Sequence, residues 1–183
     1  SGSINNVYND YANKINNDPS FNVLSYISSH DTALCRGDLI YQGSAFQLLP
    51  GAIQIFYGDE SARPYVSSSI NGVKDHLLRS DMNWNSMDQN VLKHWQKVGQ
   101  FRKNHVAVGA GTHKAITATS GTAFAREYNK NGVNDTVFAV IAASKNTNVT
   151  LTVGSYVSDG TLLKNTYDDQ TATVSGGKVT FNS

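Results

Sequence analysis

The sequence predicts an α/β segment over residues 1–110 followed by an antiparallel β-sandwich over residues 111–183. Three observations carry this expectation. Up to Asn104, helically spaced apolar residues alternate with short β-branched runs. From Gly111 onward the helical period disappears, and short strand-like runs separated by turn residues take over. Between the two textures, Gly109 and Gly111 interrupt the pattern near Val108–Thr112. Strand–helix–strand–helix order implies parallel strands with crossover helices. A tail of about 70 residues of alternating strands has the size of a small sandwich.

Ile4, Val7, Tyr8, Tyr11 and Ile15 recur at helical spacing and predict a first helix. Phe21 to Ile27 follows Asn-Asp-Pro punctuation and reads as a buried strand. Asp38 to Leu49 is apolar at helical spacing and stops at Pro50-Gly51, so it predicts a second helix. Ala52 to Tyr57 is the second strand, and a polar, Ser-rich loop runs from Gly58 to about Asn85. Ser86 and Gln89 form a capping-box pattern. The helix they open places Val91, Leu92, Trp95, Val98 and Phe101 on one face, and Trp95, Val98 and Phe101 are expected in the core. Thr122–Tyr128, Thr136–Ala143 and Asn148–Val153 are strand-like, with turn chemistry at Lys130-Asn131-Gly132-Val133 between the first two. Gly160 and Gly176-Gly177 punctuate shorter strands.

Composition excludes several classes. The net charge is +1, charged residues make up 16%, and no basic stripe offers a nucleic-acid surface. No run of about 18 apolar residues would span a membrane. Ser1-Gly2-Ser3 lacks the parts of a signal peptide and reads as a cloning scar, so the natural chain is expected to begin further upstream. The single cysteine, Cys35, has no internal partner and does not fix the redox compartment. Its neighbour Arg36 would lower a thiol pKa, but an incidental loop cysteine is the simpler reading. Asn134-Asp135-Thr136 and Asn148-Val149-Thr150 match the glycosylation sequon, which carries meaning only for a chain secreted by a eukaryote.

The chemistry concentrates at Tyr26-Ile27-Ser28-Ser29-His30-Asp31. An apolar strand ends and delivers a His-Asp pair at its C-terminal edge, the side on which parallel α/β barrels carry their chemistry. A carboxylate there can stabilise positive charge at an anomeric carbon, and the imidazole can donate to a ring hydroxyl. The same dipeptide can also simply open a loop, with Asp31 capping the next turn.

The second string is Pro50-Gly51-Ala52-Ile53-Gln54-Ile55-Phe56-Tyr57-Gly58-Asp59-Glu60. It resembles the last barrel strand of glycoside hydrolase family 13, the α-amylase family, and His30-Asp31-Thr32 resembles that family's fourth conserved region. Leu78 to Trp84 and His94 to His105 resemble its post-barrel loop and final barrel helix. The strings R-S-D-M-N-W and G-D-E-S-A-R-P are similar to those of periplasmic bacterial α-amylases. The resemblance covers residues 20–110 by motif and the β module by position only. It implies the last two β/α units of a (β/α)8 TIM barrel, followed by the C-terminal sandwich, in a periplasmic or extracellular enzyme.

What the resemblance implies for residues is specific. Asp31 takes the part of the third catalytic carboxylate, the transition-state stabiliser. His30 hydrogen-bonds the same sugar, and Arg79 and Asp75 contact donor-side sugars; a salt bridge within the loop is the alternative for the last two. Trp84 and Tyr57 are expected to pack rather than stack on sugars, and Asp59 and Glu60 to shape the strand end. Ser29 stands where the family often has Asn, which speaks against a chloride site. The nucleophile and the general acid lie on barrel strands upstream of residue 1, as do the family's principal calcium ligands. No cofactor or metal is therefore assigned to this chain, while a longer parent has room for calcium.

The expected function is that of a fragment of a retaining glycoside hydrolase acting on α-1,4-glucans such as starch, glycogen and maltodextrins. The isolated chain is expected to be inactive, because retention needs two carboxyls about 5–5.5 Å apart and both are missing. The alternative is a non-catalytic glycan-binding or assembly module. A family relative without hydrolytic activity, such as a transporter-associated subunit, is disfavoured by His30 and Asp31. Two of eight strands cannot close a barrel, so self-association through exposed apolar edges is expected.

Overall fold

The computed structural model describes residues 2–66 and 74–183 of the chain. Helix α1 (Gly2–Asn17) leads into β1 (Leu24–Ser25), α2 (Leu39–Gln47) and β2 (Ala52–Ile53). A 3₁₀ turn (Lys74–Arg79) precedes α3 (Gln89–Asn104) and the short α4 (Val106–Ala110). Seven strands follow: β3 (Thr112–Ile116), β4 (Thr122–Lys130), β5 (Val133–Ile141), β6 (Asn148–Thr152), β7 (Leu162–Lys164), β8 (Thr171–Thr173) and β9 (Lys178–Asn182). Among the described residues, no helix is long and apolar enough to cross a membrane.

Helix α2 starts where the Asp38 carboxylate accepts from the Ile40 and Tyr41 amides, at 3.1 and 3.0 Å. Helix α3 is capped by Asp88, accepting from Asn90 and Val91, not by the expected Ser86 box. Asp88 sits next to the first helical residue, and its carboxylate outcompetes a hydroxyl two residues further out. On α1 the buried residues are Tyr8 and Ala12, while Val7 is exposed, so the buried stripe is narrower than the periodicity suggested. Arg102 of α3 closes the far end of α2. Its Nη1 donates to the carbonyls of Gln47 and Leu49 at 2.8 and 2.7 Å, and its Nη2 to that of Gly51.

β1 and β2 pair in parallel, Leu24 opposite Ala52 and Ser25 opposite Ile53, with α2 as the crossover. Both are shorter than the expected runs Phe21–Ile27 and Ala52–Tyr57. Each has only the other as a neighbour among the described residues, so the ladder stops after two residues. Leu24 and Tyr26 are each 56% exposed, and Ile55 and Tyr57 are exposed too. Trp95 packs α3 on α2 from the other side, with its Nε1 donating to the Leu39 carbonyl at 2.8 Å.

The β-rich part is layered. β3, β4 and β5 form an antiparallel sheet whose β4–β5 hairpin turns at Asn131 and Gly132, both with positive φ. The period of two sorts its side chains. Val137, Ala139 and Ile141 face a core shared with Tyr8 of α1, Val98 of α3 and Val108 of α4. Phe138 and Val140 face the opposite core, against Val149 and Leu151 of β6 and Val179 of β9. β3 was not anticipated, because the interrupting glycines masked its start. Its continuation through Thr117 and Thr119 pairs with Thr150 and Thr152 of β6, and since β6 pairs with β9 in a second, antiparallel sheet, this ties the two sheets together at one edge. Arg126 of β4 is wholly buried, its guanidinium 4.8 Å from the Tyr8 ring and 4.5 Å from the Phe124 ring. Burial lowers its pKa to about 9.

Candidate functional site

His30 and Asp31 leave the end of β1 in an exposed loop, and its geometry is set by Ser29. The Ser29 hydroxyl accepts from the amides of Asp31 and Thr32, at 3.2 and 3.1 Å. Turn capping therefore falls to Ser29, and the Asp31 carboxylate is left to side chains. Its Oδ2 lies 3.2 Å from His30 Nε2, and its Oδ1 accepts from Arg79 Nη2 at 3.0 Å. Three of the four residues singled out in the sequence thus meet at one point, although Asp31 and Arg79 are 48 positions apart. Asp31 remains 66% exposed, so water or a ligand reaches the carboxylate. The Phe56 ring lies 6.4 Å from the His30 ring, tilted by 33°. The side chain of Asp75, the fourth, lies outside the described residues.

Beneath the exposed pair is a buried polar layer. Asp59 is wholly buried; its Oδ1 accepts from Ser28 Oγ and from Arg36 Nη1, each at 2.6 Å. Ser28 Oγ in turn accepts from the Cys35 amide at 2.9 Å. The Gly-Asp-Glu string thereby ties the ends of β1 and β2 together, which is the shaping role expected of it. Glu60 contributes locally by accepting from the Gly58 amide at 2.9 Å. Tyr57 donates to the Ser80 carbonyl at 2.8 Å and has the Arg63 guanidinium 4.2 Å from its ring centre, so part of it packs as expected while the rest stays exposed.

Trp84 does not pack: its side chain is 72% exposed. Its neighbour Asn83 takes the anchoring role through Ser61, donating to the Ser61 carbonyl at 2.9 Å and accepting from its hydroxyl at 2.6 Å. That leaves the indole pointing outward. Arg36 and Arg63 were missed as parts of the site. No local signal marked them, because their partners lie far along the chain. Among the described residues, no three His, Cys, Asp or Glu side chains stand together as a metal site would need.

Comparison with known proteins adds to this geometry. No family model matches the chain. Over 111 residues it is 44% identical to the periplasmic α-amylase of Escherichia coli K12, an alignment covering 59% of this chain and 16% of that protein. The chain thus spans about one sixth of the length of the curated relative that it matches. Among solved structures, an Anoxybacillus α-amylase superposes with a TM-score of 0.58 at 21% identity, covering 78% of this chain and 29% of that one. A variant of AmyP in complex with maltotriose superposes with a TM-score of 0.54 at 15% identity, covering 78% and 31%. In sequence and in backbone path, the chain is similar to a C-terminal stretch of α-amylases of glycoside hydrolase family 13, as its H-D-T and G-D-E strings imply.

Proposed function

We propose that this chain is the C-terminal portion of a retaining α-amylase-type hydrolase of the periplasm or extracellular space, acting on α-1,4-glucans. The supporting observation is the meeting of His30, Asp31 and Arg79 beyond the C-terminal ends of a parallel strand pair. In this reading β1–α2 and β2–α3 are the last two β/α units of a (β/α)8 barrel. Asp31 stabilises the oxocarbenium-like transition state, His30 and Asp75 hold sugar hydroxyls, and Arg79 orients Asp31 while contacting the donor-side sugar. The similarity to a periplasmic α-amylase and to a protein solved with maltotriose supports the substrate class and the compartment. No calcium ligand is assigned to this chain.

The nucleophile and the general acid belong to preceding segments of a longer protein. Without them, Asp31 can stabilise charge but cannot break a bond; leaving-group protonation alone is typically worth about 10²–10⁴ in rate. The chain by itself therefore binds glucan weakly and does not hydrolyse it, and its exposed strand-face residues favour self-association. The test is reducing-sugar release from soluble starch. The longer protein is expected to turn over and the pure 183-residue chain to be silent; turnover by the chain alone would mean that the catalytic residues are wrongly assigned.

A further inference from the structure

We infer that Arg63 is a positioning residue, whose guanidinium fixes segment 78–80 on the end of β2 and so holds Arg79 against Asp31. The inference deepens the reading of Asp31 and Arg79 given above and rests on it. Arg63 is only 1% exposed. Its Nη2 donates to the Leu78 carbonyl at 3.1 Å. Its Nη1 donates to the Ser80 hydroxyl at 2.6 Å and to the Ser80 carbonyl at 3.3 Å. Leu78 and Ser80 flank Arg79, so one planar cation grips the backbone on both sides of the residue that meets Asp31.

The other side of the grip is the strand end. Arg63 Nε donates to the Tyr57 carbonyl at 3.3 Å, and its Cζ lies 4.2 Å from the centre of the Tyr57 ring. Gly58 makes the approach feasible. Its φ is +91°, and a Cβ there would fall 2.5 Å from Arg63 Cβ and 2.6 Å from Arg63 Nε. Arg36 completes the path, donating from Nε to the Arg63 carbonyl at 2.5 Å and from Nη1 to Asp59. Asp59 reaches Ser28, two residues before His30. The pair Arg79–Asp31 is thus held from both ends by one buried polar chain.

The exposed pair does not fix its own geometry. With the Arg79 side chain 40% and the Asp31 side chain 66% exposed, water competes for both, and such a pair contributes little order by itself. Lysine cannot replace Arg63 in this role, since an ammonium lacks the planar fork that serves acceptors on three residues at once.

The test is arginine side-chain ¹⁵N NMR of the 183-residue chain, with Asp31→Asn giving the signature of a released Arg79. Arg63→Lys is expected to move the Arg79 Nε and Nη signals to the positions seen in Asp31→Asn, leaving those of Arg102 and Arg126 in place. Ser80→Ala, which removes a single hydroxyl acceptor, is expected to move them part of the way and serves if Arg63→Lys does not fold. If Asp31→Asn moves the Arg79 signals while both other variants leave them unchanged, the inference is overturned and the reading of the site stands. If Asp31→Asn does not move them, there is no pair to position, and the inference falls with that reading. In the longer hydrolytic protein, Arg63→Lys is expected to lower kcat about ten- to a hundredfold, the scale of a misplacement of about 1 Å, with little change in KM. It is expected to add nothing to Arg79→Ala; additive losses would make Arg63 merely structural.

Discussion

The β1–β2 pair and the β3–β4–β5 sheet are built from similarly apolar strands, yet they end in opposite states. In β4 four successive residues, Ala123 to Arg126, are buried, because helices cover one face and the second sheet covers the other. In the β1–β2 pair α2 and α3 cover one side, and Leu24, Tyr26 and Ile55 stand open to solvent. Residue type alone does not settle burial; the number of neighbouring layers does. The covered sheet supplies stability, and the open pair ends in the loop that carries the reactive-looking carboxylate.

Four measurements would sharpen or break this division, taken from the largest expected effect to the smallest. Asp31→Asn in the longer protein is expected to lower starch turnover by several orders of magnitude and to leave the unfolding midpoint unchanged. Near-normal turnover would remove Asp31 from the chemistry. Phe124→Ala, in the covered sheet, is expected to cost about 3–5 kcal/mol in urea unfolding of this chain. A loss below about 1 kcal/mol would mean that the two-sided core is looser than its burial indicates.

The third measurement is stability against pH. Burial, and then the Arg126 guanidinium, push the His113 imidazole down from 6.5 to about 3. Between these values the unfolded chain binds a proton that the folded chain refuses. Stability is therefore full above about pH 6.5 and falls as the pH drops towards 3, by at most about 1.4 kcal/mol per unit. His94, also lowered by burial, adds a slope of the same sign. Subtracting the profile of His113→Asn isolates the contribution of His113; identical profiles would contradict it. Smallest of all, Leu24→Ser with Tyr26→Ser on the open face is expected to change stability by no more than about 0.5 kcal/mol. The same pair should lower the mass seen by light scattering, and an unchanged mass would show that this face does not drive association.

Much of this arrangement was legible in the sequence, for physical reasons that differ by element. The β4–β5 hairpin announced itself through two strand-like runs around the Asn131-Gly132 turn, a signal that is local in the chain. His30 and Asp31 were visible because a strand end and a family string coincide there. The cap of α3 was misplaced by two residues, since Ser86 and Asp88 both satisfy the local rule and only the backbone path chooses between them. Arg36 and Arg63 were illegible for a different reason. Asp59 lies 23 residues from Arg36, and Leu78 and Ser80 lie 15 and 17 residues from Arg63, and nothing local says that a loop arginine will turn inward. Trp84 was misjudged because indole usually packs, whereas here Asn83 anchors the loop in its place.

The chain has two tryptophans, and their surroundings differ sharply: Trp95 is 2% exposed between α2 and α3, and Trp84 is 72% exposed near the strand ends. The protein thus carries two built-in optical probes of separate regions. The buried indole should emit to the blue and resist acrylamide, while the exposed one should emit to the red and quench readily. Loosening of the loop that Asn83 anchors on Ser61 would perturb the red component, and loosening of the α2–α3 contact would perturb the blue one. A single emission spectrum can therefore follow the loop and the helix pair at the same time, with no label attached.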